Sequence, residues 1–278
     1  MPSNEQRRQA AKRKLERQLS RRAERAKRRR VWGVGLTVIV VVAVVGLVYW
    51  LVNLGPDESD AATEPTDTEA AESTDGPCAY APSATEAPPE DLGMPEDPDE
   101  TPKSGTVAVS IKSSQGDIPL SLDRAKAPCT VQSMEHLVQK KFFDGTTCHR
   151  LTSSAGLQVL QCGDPKGDGT GGPGYSIPDE LPKDLTDAPA DPSGQPLKIY
   201  ERGMLAMANS GPNSGGSQFF MVYGDSTLPP NYTVFGTVDK SGLATLDKIA
   251  KGGITPGSSP EDGAPKLPVK IETASVAD

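Results

Sequence analysis

Polar side chains that could form a binding or catalytic site are concentrated in three blocks in the second half of the chain. Arg150 ends the run FFDGTTCHR, Gln161 lies in the run LQCGD, and Gln218 lies in the run SQFF. A guanidinium is permanently charged and donates hydrogen bonds, and an amide both donates and accepts, but neither is a nucleophile or exchanges protons near neutral pH. The chemistry open to these residues is therefore hydrogen bonding to a substrate. Taken singly, each is more often a surface ion-pair partner or a solvated amide.

Other kinds of active site fit this sequence poorly. Cys148 and His149 are adjacent, and adjacent strand residues point to opposite faces, which argues against a Cys–His nucleophile pair. The run 167–172 matches GxGxxG, but Pro173 follows where a helix should begin. There is no GxSxG motif and no CxxC pair, and the chain has two histidines. The sequence therefore predicts neither a metal site nor a cofactor.

Together and in this order, the blocks resemble the signature of the cyclophilin family of peptidyl-prolyl cis/trans isomerases. The matching runs are residues 142–150, 160–164 with 169–172, 203–220 and 234–236. The resemblance covers about residues 104–278. It implies a mainly β fold, a closed antiparallel eight-stranded barrel capped by two helices, and catalysis of rotation about X-Pro bonds.

Prolyl isomerisation needs no covalent chemistry. Amide resonance gives the C–N bond double-bond character and a rotation barrier of roughly 18–20 kcal/mol. A catalyst needs a fixed donor to the prolyl nitrogen as that atom becomes pyramidal, an apolar pocket for the ring, and polar groups that hold the flanking backbone. The residues in the three blocks are of these types.

The family resemblance implies a role for individual residues. It nominates Arg150 as the donor to the prolyl nitrogen and Gln161 as a second catalytic residue that positions the arginine and the substrate backbone. Phe220 matches the phenylalanine of the proline pocket. The substrate-binding residues implied in the same way are Val159, Ala208, Asn209, Gln218, Phe220, Leu228 and Tyr232.

Four departures from the family pattern bear on the pocket. About three residues near 153–155 are inserted, and Gln158 stands where a pocket phenylalanine is usual. Thr227 replaces a tryptophan common in cyclosporin-sensitive cyclophilins, and Tyr232 replaces a histidine. We therefore expect weak cyclosporin binding. The departures also leave open a second function, a non-catalytic proline-peptide-binding module or chaperone on the same fold.

Hydrophobic periodicity predicts the elements that position these residues. Alternation over 107–111 and 118–122 predicts a hairpin, and helical spacing predicts helices over about 129–140 and 243–250, the second ending at Gly252. The other predicted strands lie near 147–151, 158–161, 203–209, 217–223, 233–238 and 268–275. Loop 183–198 is longer than usual for the family.

The amino-terminal part of the chain predicts a membrane anchor. Residues 1–30 carry 13 Lys or Arg against three Glu, and residues 31–52 are 22 uncharged, mainly apolar residues, enough to span a bilayer. A run this long ending in bulky residues favours an anchor over a cleaved signal peptide. Positive flanks stay cytoplasmic, so we expect the rest of the chain outside the cell membrane. The basic arm then orients the anchor and contacts lipid, and we expect it to bind no nucleic acid.

The composition of residues 53–103 predicts an acidic, proline-rich stalk. From 55 to 103 there are nine prolines and 15 Asp or Glu, with few branched aliphatic residues, a composition typical of segments that do not fold. The folded domain is then expected over 104–278, acting on exported client proteins.

Four cysteines follow the apolar run, and outside the cell they favour disulfides. Four cysteines allow three pairings. We favour Cys148 with Cys162, on strands expected to be neighbours, and Cys78 with Cys129.

Overall fold

The computed structural model describes residues 72–83, 87–189, 191 and 194–277. The predicted basic arm (1–30), the predicted anchor (31–52) and the first part of the predicted stalk lie outside these ranges. Among the residues that are described, no helix is long and apolar enough to cross a membrane.

Two helices form where the helical spacing predicts them. Helix α1 spans Pro128–Gln139 and begins with proline, whose missing N–H costs least in the first turn. Helix α2 spans Lys240–Gly252, so it begins three residues earlier and ends two residues later than the predicted 243–250. Gly253 follows at the C-cap with a positive φ of 86°. Both helices bury one apolar face, since Val131, Met134, Leu137 and Val138 of α1 and Leu246 and Ile249 of α2 are buried.

Fifteen strands occur in the described residues. In chain order they are β1 Ala81–Pro82, β2 Thr106–Ser113, β3 Gly116–Asp123, β4 Arg150–Thr152, β5 Gln158–Cys162, β6 Tyr175–Ser176, β7 Thr186–Ala188, β8 Leu197–Tyr200, β9 Met204–Met207, β10 Phe219–Gly224, β11 Ser226–Leu228, β12 Val234–Val238, β13 Ile254–Ser259, β14 Asp262–Pro265 and β15 Ile271–Val276.

Ten of these strands form one antiparallel sheet. Its order is β13-β14-β4-β5-β10-β9-β12-β3-β2-β15. The eight predicted strands are all present, as β2, β3, β4, β5, β9, β10, β12 and β15. Strands β13 and β14 were not predicted and extend the sheet beside β4. Elsewhere, Thr147 forms isolated bridges with both Asp164 and Lys270.

Five short strands form two smaller sheets. Strands β7, β8 and β11 make a three-stranded sheet, so residues 186–188 and 197–198 of the predicted long loop 183–198 are strand. Strand β1 pairs with β6.

The buried apolar residues form two clusters. The larger contains most of the core, with residues of the ten-stranded sheet and of both helices. The smaller contains Val159, Leu185, Tyr200, Ala206, Phe220, Val222 and Val234. We call the smaller set the pocket cluster.

The prediction of an unfolded stalk is wrong for residues 72–83 and 87–103. Cys78 and Tyr80 are fully buried in the main core, and Cys78 is disulfide-bonded to Cys129 at the start of α1. The Tyr80 hydroxyl donates to the Cys129 carbonyl at 2.7 Å. A few apolar residues and one covalent bond therefore hold an otherwise acidic segment on the domain, which begins well before residue 104.

Both predicted disulfides are confirmed. Cys78 pairs with Cys129, and Cys148 pairs with Cys162. The second bridge joins a residue two positions before Arg150 to the residue after Gln161.

Candidate active site

Five residues line up across neighbouring strands of the large sheet. Arg150 of β4 pairs with Gln161 of β5, which pairs with Phe220 of β10; Phe220 pairs with Ala206 of β9, and Ala206 pairs with Val234 of β12. Directly paired residues project from the same face of a sheet. The ladder therefore brings the guanidinium, an amide and an aromatic ring into one row.

Hydrogen bonds connect the polar members of this row. Arg150 Nη1 donates to Gln161 Oε1 at 3.2 Å, and Gln161 Nε2 donates to Gln218 Oε1 at 2.9 Å. Gln218 Nε2 then donates to the carbonyls of Gly169 and Gly171 at 3.0 and 2.9 Å. Gln161 therefore contacts both Arg150 and Gln218, and Gln218 connects the row to the loop 169–171.

Asp164 binds the backbone of the loop 166–171, whose carbonyls accept hydrogen bonds from Gln218. This carboxylate is fully buried and accepts backbone N–H bonds on both oxygens. The donors are the amides of Lys166, Asp168, Gly169 and Gly171, at 2.5 to 3.1 Å. Sequence reasoning gave Asp164 no role, although its place in the run LQCGD ahead of a glycine-rich stretch was the available signal.

Arg150 has a second partner that was not predicted. Its Nε and Nη2 donate to the two carboxylate oxygens of Asp262, each at 2.8 Å. Asp262 lies 112 residues further on, at the start of β14. The side chains of Arg150 and Asp262 are 39% and 28% exposed, so water screens the pair only in part. The hydrogen bonds of the pair raise the pKa of Arg150 and lower that of Asp262.

The predicted pocket residues lie together beside this row. Val159 and Phe220 belong to the pocket cluster, and Leu228, Ala208 and Tyr232 pack against it. The rings of Phe220 and Tyr232 meet edge to face with centroids 5.4 Å apart. These five side chains form one apolar surface with an aromatic wall.

Tyr200 is a third aromatic member that sequence reasoning missed. It is fully buried, and its ring lies 6.4 Å from Phe220 and 6.2 Å from Tyr232. Its hydroxyl donates to the Pro229 or Tyr232 carbonyl, at 3.3 and 3.2 Å. It lies in β8, next to a segment predicted to be loop, so no strand pattern indicated its burial.

At the position where the family usually has a pocket phenylalanine, Leu157 and not Gln158 contacts the pocket cluster. Gln158 pairs with Gly224, and its side-chain oxygen lies against that glycine, where a β-carbon would come within 1.9 Å of it. The preceding residue, Leu157, packs against the pocket cluster instead. An aliphatic side chain from the insertion loop thus contacts the pocket, while the Gln158 side chain turns to Gly224.

Asn209 follows Ala208, one of the residues that pack against the pocket cluster. Its Nδ2 donates to the Asn231 carbonyl at 2.7 Å, and its Oδ1 accepts from the Gly211 amide at 3.3 Å. A cavity of about 370 Å³ adjoins it, lined by Gln161, Ala208, Asn209, Gln218 and residues of the segment 169–176. Polar groups that can hold a peptide backbone therefore continue beyond the apolar surface.

This arrangement can bind and polarise a peptide without covalent chemistry. A clamped guanidinium sits in line with an apolar aromatic surface, and amides extend along the same groove. Within the described ranges, no group of three or more His, Cys, Asp or Glu is placed to hold a metal ion. The geometry suits recognition of a chain with one apolar ring and a hydrogen-bonding backbone.

Comparisons with known proteins identify related sequences and structures. Residues 106–276 match the family described as cyclophilin type peptidyl-prolyl cis-trans isomerase/CLD. The chain is 47% identical over 300 residues to the probable peptidyl-prolyl cis-trans isomerase B of Mycobacterium leprae, covering 98% of this chain and 99% of that protein. It is 53% identical over 199 residues to the protein of the same name in Mycobacterium tuberculosis, covering 70% and 62%. A solved cyclophilin type peptidyl-prolyl cis-trans isomerase of Cryptosporidium parvum aligns with a TM-score of 0.49 at 24% identity, over 63% of this chain and 99% of that one.

Proposed function

The chain belongs to the cyclophilin-type peptidyl-prolyl cis-trans isomerase family and is a peptidyl-prolyl cis-trans isomerase, and from this premise we propose that Arg150 is its catalytic donor and that exported proteins are its substrates. The observation that carries the first part is the clamped guanidinium of Arg150, in line with Phe220 across two strand ladders.

The proposed mechanism uses the N–H groups of Arg150 that remain available. Three of its five N–H groups bond Asp262 and Gln161 in the described part of the chain. A remaining N–H donates to the prolyl nitrogen as that nitrogen loses amide resonance and gains a lone pair. A hydrogen bond from a charged donor is worth about 1.5–3 kcal/mol. Made only in the transition state, it accelerates rotation by roughly ten- to a hundredfold.

The other site residues hold the substrate. In this proposal the proline ring packs on the surface formed by Val159, Phe220, Leu228 and Tyr232, so that rotation moves the residue before proline while the ring stays fixed. Asn209, Ala208, Gln161 and Gln218 bind the peptide backbone along the groove.

The donor assignment is tested with Arg150→Ala in a protease-coupled isomerisation assay on the full chain in detergent. We expect most of the activity to be lost with an unchanged fold. Arg124→Ala is the matched control, because Arg124 also pairs with a carboxylate, Glu135 at 2.9 Å, but lies between β3 and α1. Near wild-type activity of Arg150→Ala would refute the donor role.

The proposed location is the outer face of the cell membrane, with residues 31–52 as a single-pass anchor in lipid and the amino terminus cytoplasmic. Two disulfides in the described residues support an oxidising compartment, since disulfides are rare in the cytosol. Protease added to intact cells should release a fragment that begins no later than residue 72, because residues 72–83 and 87–103 pack on the domain. If the fragment is released only after lysis and not from intact cells, the orientation is the reverse of the proposed one.

Two finer structural features belong to the same proposal. The bridges from Thr147 to Asp164 and Lys270 support closure of the large sheet into a barrel. Thr227 lies in β11 and is partly exposed beside the groove residue Leu228, where the family resemblance places a tryptophan. We therefore expect cyclosporin to bind weakly.

A further inference from the structure

The hairpin β13–β14 is fixed against the strand that carries Arg150. Asp262 pairs with Thr152 and Gly263 pairs with Leu151, and the Ser153 amide donates to the Glu261 carbonyl at 2.9 Å. A β-carbon at Gly263 would lie 2.2 Å from the Thr255 carbonyl oxygen. The two strands of the hairpin therefore approach closely at this point, and the backbone of Asp262 has a defined position.

This backbone position directs the Asp262 side chain at Arg150. Residues 150 and 152 lie on the same face of β4, so Asp262, opposite Thr152, reaches Arg150 diagonally. The two oxygens of the carboxylate accept hydrogen bonds from Nε and Nη2, both at 2.8 Å, while the Gln161 side-chain oxygen accepts one from Nη1. The guanidinium plane is thus held from two sides, which fixes the orientation of its remaining N–H groups.

A carboxylate suits this task better than an amide. Two parallel N–H···O bonds to a carboxylate fix the plane of an arginine as well as its distance. An asparagine would present an NH₂ group to one of the arginine N–H groups, so only one of the two bonds could form. An arginine free of such a clamp samples many rotamers, and ordering it in the transition state costs free energy.

We propose that Asp262 is a positioning residue for isomerisation, which aims the guanidinium of Arg150 at the prolyl nitrogen. This inference rests on the proposed donor role of Arg150. Asp262 itself touches no substrate in this scheme. Its removal is expected to lower kcat while leaving peptide binding nearly unchanged, because the apolar surface around Phe220 is untouched.

The experiment is a double-mutant cycle on the full chain in detergent, with kcat and KM measured on a proline peptide and the fold checked by thermal unfolding. Asp262→Asn and Asp262→Ser are made alone and together with Arg150→Ala. Each single Asp262 variant should lower kcat by roughly 10- to 100-fold, the loss typical of a misplaced catalytic group, with KM changed by less than about threefold. In the Arg150→Ala background the same substitutions should have no further effect.

Two further variants sharpen the test. Glu261→Gln removes one negative charge from the adjacent, exposed position of the same hairpin and should leave kcat unchanged. Asp262→Glu keeps both carboxylate oxygens and should recover most of the activity that Asp262→Asn loses.

The outcomes separate the inference from the proposed function. Wild-type or higher kcat in the folded Asp262 variants overturns the positioning role, as does an equal loss of activity with and without Arg150. High activity of Arg150→Ala overturns the donor role, and the positioning role with it. Loss of activity on removing Arg150 combined with unchanged kcat in Asp262→Asn refutes only the inference.

Discussion

Removing the disulfide that ties the amino-terminal segment to the domain should cost more stability than removing the one beside the site. Cys78–Cys129 closes a loop of 51 residues, and Cys148–Cys162 closes one of 14. In the chain-entropy treatment the longer loop contributes about 4 kcal/mol and the shorter about 3 kcal/mol at 25 °C. The double substitution Cys78→Ala with Cys129→Ala should therefore lower the free energy of unfolding by about 4 kcal/mol.

The assay is urea unfolding of the two double-alanine variants and the wild type, followed by far-UV circular dichroism and extrapolated to zero urea. Cys148→Ala with Cys162→Ala is the matched control, since it also removes one disulfide bond and its two sulfur atoms. A reductant should lower the stability of the wild type and leave a variant without cysteines unchanged. If the Cys78–Cys129 variant is as stable as the wild type, residues 72–83 and 87–103 are not held in the way described, and the reasoning fails.

Three further predictions follow from the site and its surroundings. Phe220→Ala should destabilise the fold by about 3–5 kcal/mol and raise KM, because Phe220 is 5% exposed and its ring packs on Tyr232. Leu181→Ala changes a residue that is 44% exposed and should do neither in the same unfolding and kinetic assays. Burial lowers the pKa of His136 and His149 below the ordinary value, so the unfolded chain binds more protons than the folded chain as the pH falls through about 6.5. The free energy of unfolding should therefore decrease from about pH 7.5 to 5.5. Replacing both histidines with glutamine should flatten that dependence in urea titrations. Thr227→Trp should tighten cyclosporin binding measured by titration calorimetry, and an already tight wild type would contradict the assignment of that position.

Much of the fold follows from patterns in the sequence. Alternation over 107–111 and 118–122 predicted the first hairpin, and helical spacing of apolar residues predicted both helices. Such patterns arise because one face of each element is buried. The sequence predicted a strand for each of Arg150, Gln161 and Phe220 and expected the first two strands to be neighbours. The pairing of β4, β5 and β10 puts all three residues in one row.

What the sequence missed lacks a local pattern. The segment 254–265 is rich in glycine and proline and does not alternate, so its hairpin and the contact of Asp262 with Arg150 depend on pairing with a strand about 110 residues away. Residues 72–83 and 87–103 have the composition of an unfolded chain, and their packing depends on a few buried side chains, among them Tyr80 and Leu92, and on a disulfide to α1. Tyr200 and Leu157 join the pocket because of tertiary packing alone.

The central claim is that Arg150 acts on the prolyl nitrogen in the transition state. Its most direct test is NMR exchange spectroscopy on a proline peptide with the wild-type chain and with Arg150→Ala, which gives the rate of cis–trans interconversion on the enzyme and the Kd in one sample. The account predicts that Arg150→Ala lowers that rate by roughly ten- to a hundredfold while Kd changes by less than about threefold. An unchanged rate, or a loss that the change in Kd explains entirely, would contradict it.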